Sequence, residues 1–237
     1  MTDGTIMIFI ILFSLLFFVF FVFFFYGRHA FARKFLPLPS SGTLQRVVVE
    51  RLTGFLLFGV IPGTAVFFFL PETSASSLGL GLPGRQWLLP ALIFWTVLVI
   101  FNGLFGGKPA TLKHYPQIRQ LPWGKELFLI NIITWLLYLA GYEFLFRGLL
   151  VFPLLDRFGI AGTVIINTVI YTLAHLHKEK NEVAGSFVFG ILLVLMTVYS
   201  GSVWLSVMSH LTMALSNDFF CYIARRKLQL SKTGEDA

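Results

Sequence analysis

Apolar runs of about twenty residues alternate with short polar stretches along this chain, and most are apolar on every face rather than along one stripe. The first run, Ile6–Tyr26, is rich in phenylalanine. The pattern predicts further helices over about 52–70, 86–105, 126–151, 160–176, 183–199 and 203–223. Some 20 apolar residues in a helix cross a hydrocarbon core of roughly 30 Å. The expectation is therefore an all-α, polytopic membrane bundle of about seven transmembrane helices. Pro62 and Gly63 predict a kink in the second span, which a bundle tolerates.

Composition agrees: 57% of the 237 residues are hydrophobic, 12% are charged, and mean hydropathy is +0.82. Lys and Arg outnumber Asp and Glu by 18 to 11. Because these cations sit in short loops between apolar runs, they read as topology signals and not as a nucleic-acid surface. The 27–51 and 107–125 loops and the tail with Arg225, Arg226 and Lys227 are expected in the cytoplasm. That gives an integral protein of a bacterial inner membrane, N-terminus out and C-terminus in. No basic segment precedes the first run and no small-residue cleavage pattern follows it, so a retained helix is expected. Cys221 is the single cysteine and forms no intrachain disulfide. Gly79-Leu-Gly81-Leu-Pro-Gly84 matches a dinucleotide-binding string, but it lacks βαβ context and carries Pro83 inside the turn.

Chemistry enters with Gly141-Tyr-Glu-Phe-Leu-Phe-Arg-Gly148. A charge inside a spanning helix costs roughly 2.5–3.5 kcal/mol on insertion scales and faces protein or an aqueous cavity. Glu143 and Arg147 are four apart, one helical turn, and can neutralise each other. That pair alone is consistent with a purely structural role. His175 in the fifth predicted helix, and His210 and Asn217 in the last, add polar groups at depth. The turn between the fourth and fifth helices centres near Gly159, so Glu143 and His175 are expected level with each other. Folding back from Gly201 puts Asn217 near the level of His175, with His210 roughly 9–10 Å away along the helix.

Tyr142-Glu143-Phe-Leu-Phe146-Arg147-Gly148, Tyr171-x3-His175 and His210 resemble the three motifs of the CAAX prenyl protease type II and bacteriocin-processing (CPBP, or Abi) intramembrane proteases. Gly185, Gly190 and Ser200-Gly-Ser-Val-Trp204 are also similar to that family. The resemblance divides the chain into variable N-terminal helices (1–124), a CPBP-like core (125–223) and a basic tail (224–237). Two positions depart from the pattern. Tyr142 stands where the family has the first glutamate of a pair, and Ala214 where its His-x3-Asn or Asp motif, begun here by His210, has an amide or aspartate.

The resemblance implies an intramembrane endopeptidase acting on a membrane-embedded or lipidated peptide or protein, with the bilayer as its other partner and no nucleic acid. Glu143 aided by His175 is the expected base. His210 and Asn217 are expected oxyanion donors, with Arg147 and Tyr142 in support. No cofactor is required, although Glu143, His175 and His210 would be the ligands if a zinc ion were held. His-Glu-x-x-His and Gly-x-Ser-x-Gly are both absent. The alternative is a family member that has lost turnover and serves as a scaffold, chaperone or immunity factor. A transporter is disfavoured by the lack of a repeated half.

Overall fold

A computed structural model of the chain describes residues 43–233 and, ahead of them, only Gly4 and Ser14. The span expected over Ile6–Tyr26 (Ser14 apart), the basic stretch 27–42 and the last four residues lie outside the described residues. Among those described, every regular element is helical. The helices are α1 (Leu44–Phe55), α2 (Ile61–Phe69), α3 (Leu88–Phe105), α4 (Pro109–Leu112), α5 (Lys125–Glu143), α6 (Phe152–Leu173), α7 (Lys180–Ser200) and α8 (Trp204–Thr233). Two π-helical stretches, Leu56–Val60 and Phe144–Val151, join α1 to α2 and α5 to α6.

Among the described residues four stretches are long and apolar enough to cross a membrane: Leu44–Phe69, Arg85–Phe105, Lys125–Leu173 and Lys180–Ser200. The chain is an integral membrane protein. Its outer helical faces are apolar and open, as at Phe67, Phe68 and Phe69 of α2 and Leu88, Leu92 and Leu104 of α3. The third stretch has 49 residues. As a single rod it would reach about 74 Å, more than twice the hydrocarbon thickness. It folds back at Gly159, whose φ of 63° and ψ of −173° belong to a region that essentially only glycine occupies. The two arms then run antiparallel: Asn167 Nδ2 donates to the Phe146 carbonyl at 2.7 Å, and Phe146 stacks edge-on against Tyr171.

The second predicted span begins eight residues early, at Leu44, and takes in Arg46 and Arg51, which had been expected in a loop. Just ahead of Pro62, which has no N–H for the turn before it, the backbone widens to π geometry. In that π stretch Gly59 comes against Gly141 of α5. A Cβ on Gly141 would stand 3.1 Å from the Gly59 nitrogen, so the backbones touch with no side chain between them.

α8 is too polar to rank among the four most apolar stretches, yet its residues Leu205, Ser206, Ser209, Leu211, Asp218 and Cys221 are buried. It packs against α3, α5 and α7, so protein rather than lipid surrounds much of it. Trp95 and Asn102 of α3 bond to Ser209 and Ser216, and Thr197 of α7 bonds to Ser206. The segment expected as a tail continues this helix to Thr233.

Two ends emerge. At one, residues 78–82 form a strap over the α7–α8 turn: Val203 N–H, Ser202 Oγ and Trp204 Nε1 donate to the carbonyls of Gly79, Gly81 and Leu80. At the other, the 113–119 stretch meets the α6–α7 connection and the end of α8, through Lys113–Glu179 and Arg225 to the Leu112 and Tyr115 carbonyls. Single cysteines replacing Ser76 and Lys227, with Cys221 buried and shielded, should react with an impermeant maleimide from opposite sides of the membrane. Labelling of both from one side would contradict the fold.

Candidate active site

The π-helical stretch is where the polar residues converge. Glu143 caps its start and Arg147 lies within it, and both side chains are wholly buried. A π turn shifts successive side chains out of the regular helical ladder, and such turns are frequent at functional sites. Arg147 Nε stands 3.2 Å from Glu143 Oε2. The N–H is not directed at that oxygen, so the contact is Coulombic rather than an aligned hydrogen bond. The guanidinium also lies 4.4 Å above the Tyr171 ring of α6. Two opposite charges and an aromatic face thus compensate one another in the buried interior.

Glu143 has a second partner across the bundle. His210 Nδ1 is 2.7 Å from Glu143 Oε1. An ionised carboxylate only accepts, so Nδ1 carries the proton, and whenever the ring is neutral Nε2 keeps its lone pair. The side chain of His210 is 13% exposed while that of Glu143 is 0%. The imidazole is therefore the more accessible of the two groups, and the carboxylate is enclosed by protein.

His175, at the end of α6, is fixed in the same sense: its Nδ1 lies 2.8 Å from the Tyr171 carbonyl, again leaving Nε2 as acceptor. The two rings flank Tyr142. Its ring centroid is 6.4 Å from that of His175 and 5.7 Å from that of His210, edge-on in both cases. Phe189 of α7 closes the far side of His210, at 5.6 Å. The expected levelling of Glu143 with His175 across the Gly159 turn is what the structure has.

The expectation for α8 needs correcting. Its register against α5 runs Trp135 to Asp218, Leu139 beside Leu211 and Ala214, and Glu143 to His210. It is His210 that meets Glu143. Asn217 lies about 10 Å further along the helix, where its Oδ1 takes the Cys221 thiol at 3.7 Å. Ala214 packs with Trp135, Leu139 and Leu211, so the wall where an amide was expected is apolar. Among the described residues no three of His, Cys, Asp or Glu are placed to hold a metal ion. Glu143 directs its oxygens at His210 and Arg147.

Residues 124–216 match the family model of type II CAAX prenyl endopeptidases, Rce1-like. This part of the chain is similar to the Rce1-like domains. No curated protein and no solved structure matches the chain. The matched stretch contains Tyr142, Glu143, Arg147, His175, His210 and Ala214, and it ends one residue before Asn217.

A second buried polar cluster lies outside that stretch in part and had not been foreseen. Arg51 of α1 donates to Asn131 Oδ1 and Thr134 Oγ1 at 2.9 Å, to Gln117 Oε1 at 3.1 Å, and stands 3.5 Å from Asp218. Asp218 also accepts from Trp135 Nε1 and the Gln117 N–H. The guanidinium lies 3.9 Å over the Trp135 ring. The signal was present: Val47, Arg51, Gly54 and Phe58 fall on one buried stripe. Arg51→Met strands Asp218 and should cost about 3–5 kcal/mol, read as a lower unfolding temperature in detergent, with Arg51→Met/Asp218→Leu recovering most of it. An unchanged unfolding temperature for the single variant would show the pair to be dispensable.

Proposed function

We propose that the chain is an intramembrane endopeptidase that hydrolyses a peptide bond of a membrane-associated peptide or protein, with its basic end facing the cytoplasm. The observation that carries this reading is the 2.7 Å contact between Glu143 and His210 at membrane depth. A carboxylate that fixes an imidazole tautomer is the arrangement that makes a histidine an oriented general base. The buried Glu143 is then the orienting group, and the more accessible His210 takes the proton.

Water donates a proton to His210 Nε2 as its oxygen bonds to the scissile carbonyl carbon. The imidazolium so formed is stabilised by Glu143. The tetrahedral intermediate collapses by breaking the C–N bond, and the proton passes from His210 to the departing amine nitrogen. His175 Nε2 holds the second water hydrogen and turns an oxygen lone pair toward the substrate. Tyr142, a phenol in place of a carboxylate, supplies a donor to the oxyanion. Arg147 offsets the Glu143 charge, which would otherwise be too costly to bury.

Complete burial of Glu143 and the apolar wall at Ala214 favour one other reading, a scaffold or immunity-type protein that has kept the fold without turnover. Glu143→Gln separates the two. It leaves Nδ1 of His210 a weaker partner and removes the compensating charge, so cleavage of a membrane-anchored reporter peptide should fall by roughly 10²–10⁴-fold. Glu143→Gln/Arg147→Met should regain the thermal stability lost with the single change, but not turnover. His175→Ala should abolish cleavage with little change in unfolding temperature. Full cellular function of a stable Glu143→Gln protein would favour the scaffold.

A further inference from the structure

The basic end of the bundle carries a cleft of about 480 Å³, a volume in the range of small-ligand pockets. Its walls come from the start of α1 (Arg46, Glu50), the 114–119 stretch, the α6–α7 connection with His177, and the first turn of α7 with Glu182. Each carboxylate in the wall already has a cation: Arg46–Glu50 at 2.9 Å, Lys113–Glu179 at 2.8 Å and Lys178–Glu182 at 3.5 Å. The hydrogen bond from Lys113 holds the Glu179 carboxyl below its usual range, so that pair stays charged.

Arg119 is different. Its Nη2 donates to the Lys113 carbonyl at 2.7 Å, and among the described residues no carboxylate lies within ion-pair reach of it. Arg225 is close by, held by the Tyr115 and Leu112 carbonyls. Burial lowers the Arg225 pKa, and the like charge of Arg119 lowers it further. One rim of the cleft therefore carries guanidinium charge that no described carboxylate neutralises. His177 in its wall is two residues beyond His175 in the chain. At the opposite end the 78–82 strap covers the α7–α8 turn.

We propose that this cleft is a specificity subsite for the polar residues flanking the cleaved bond of a membrane-associated peptide, and that Arg119 binds a carboxylate there. The proposal rests on the peptidase reading and adds a preference to it. A peptide fits better than a lipid headgroup because the walls offer cations, carboxylates and imidazoles together, matching a chain that presents both donors and acceptors.

The probe is a fluorescent peptide with a Leu-Ala membrane segment and either Asp-Asp or Ser-Ser at the headgroup border. Binding is measured by anisotropy on the full chain in zwitterionic nanodiscs. At low salt the Asp form should bind wild type about five-fold more tightly, the scale of an exposed ion pair, and the preference should fade near 1 M salt. Arg119→Gln should abolish it, and Arg119→Glu should invert it for a Lys-Lys peptide. Equal binding of the Asp and Ser forms to wild type, or a preference that survives Arg119→Gln, overturns the proposal. So does full displacement of the Asp peptide by vesicles of phosphatidylglycerol at matched charge, which would assign the rim to lipid headgroups. Binding stands apart from turnover. A wild-type protein that keeps the Arg119-dependent preference yet cuts neither peptide supports the carboxylate site and sinks the peptidase reading.

Discussion

Glu143 and Arg147 are both fully buried in a stretch that has to lie in a bilayer. Neither charge can be carried there alone, since an unpaired buried ion costs several kcal/mol even after relaxation. That single constraint organises its surroundings. It calls for α6 to fold back so that Tyr171 covers the guanidinium. It also calls for α8 to bring His210 to the remaining carboxylate oxygen. The Gly159 reversal, the Gly59–Gly141 approach and the π turn are backbone devices that let three elements reach one point.

A second ion pair performs the corresponding task nearer the basic end. Arg51 and Asp218 tie α1, the 115–119 stretch, α5 and α8 together. Asp218 is two turns from His210 on the same helix, and Trp135 is two turns from Glu143 on α5. The Trp135–Asp218 bond therefore sets the register in which His210 and Glu143 meet. Polar residues make α8 a poor lipid-facing helix and a good central one, which is why hydropathy alone ranks it below the others.

Much of this could be read from the residues. Charge in an apolar run marked Glu143 and Arg147, and equal spacing about Gly159 placed His175 opposite Glu143. The choice between His210 and Asn217 could not be made, because counting back from Gly201 assumes a symmetrical turn. The chain instead bends at Ser202 and Val203 to bond the strap, and Phe189 rather than a residue one turn later stands against His210. Arg51 was taken for a loop cation because its charge outweighed its place on the Val47–Gly54 stripe. Ala214 looked like a missing donor, and only the packing of Trp135, Leu139 and Leu211 around it shows the apolar wall it belongs to.

The Glu143 carboxylate, at 2.7 Å from Nδ1 of His210, calls for a proton on that nitrogen and leaves Nε2 as the acceptor. Nitrogen-15 NMR of ring-labelled histidine in nanodiscs, assigned by a His210→Gln variant, observes this directly. At neutral pH the account predicts a protonated Nδ1 and an unprotonated, pyridine-type Nε2 for His210, with the balance shifting in Glu143→Gln. A His210 ring that carries its proton on Nε2, or whose spectrum ignores the change at Glu143, would contradict it.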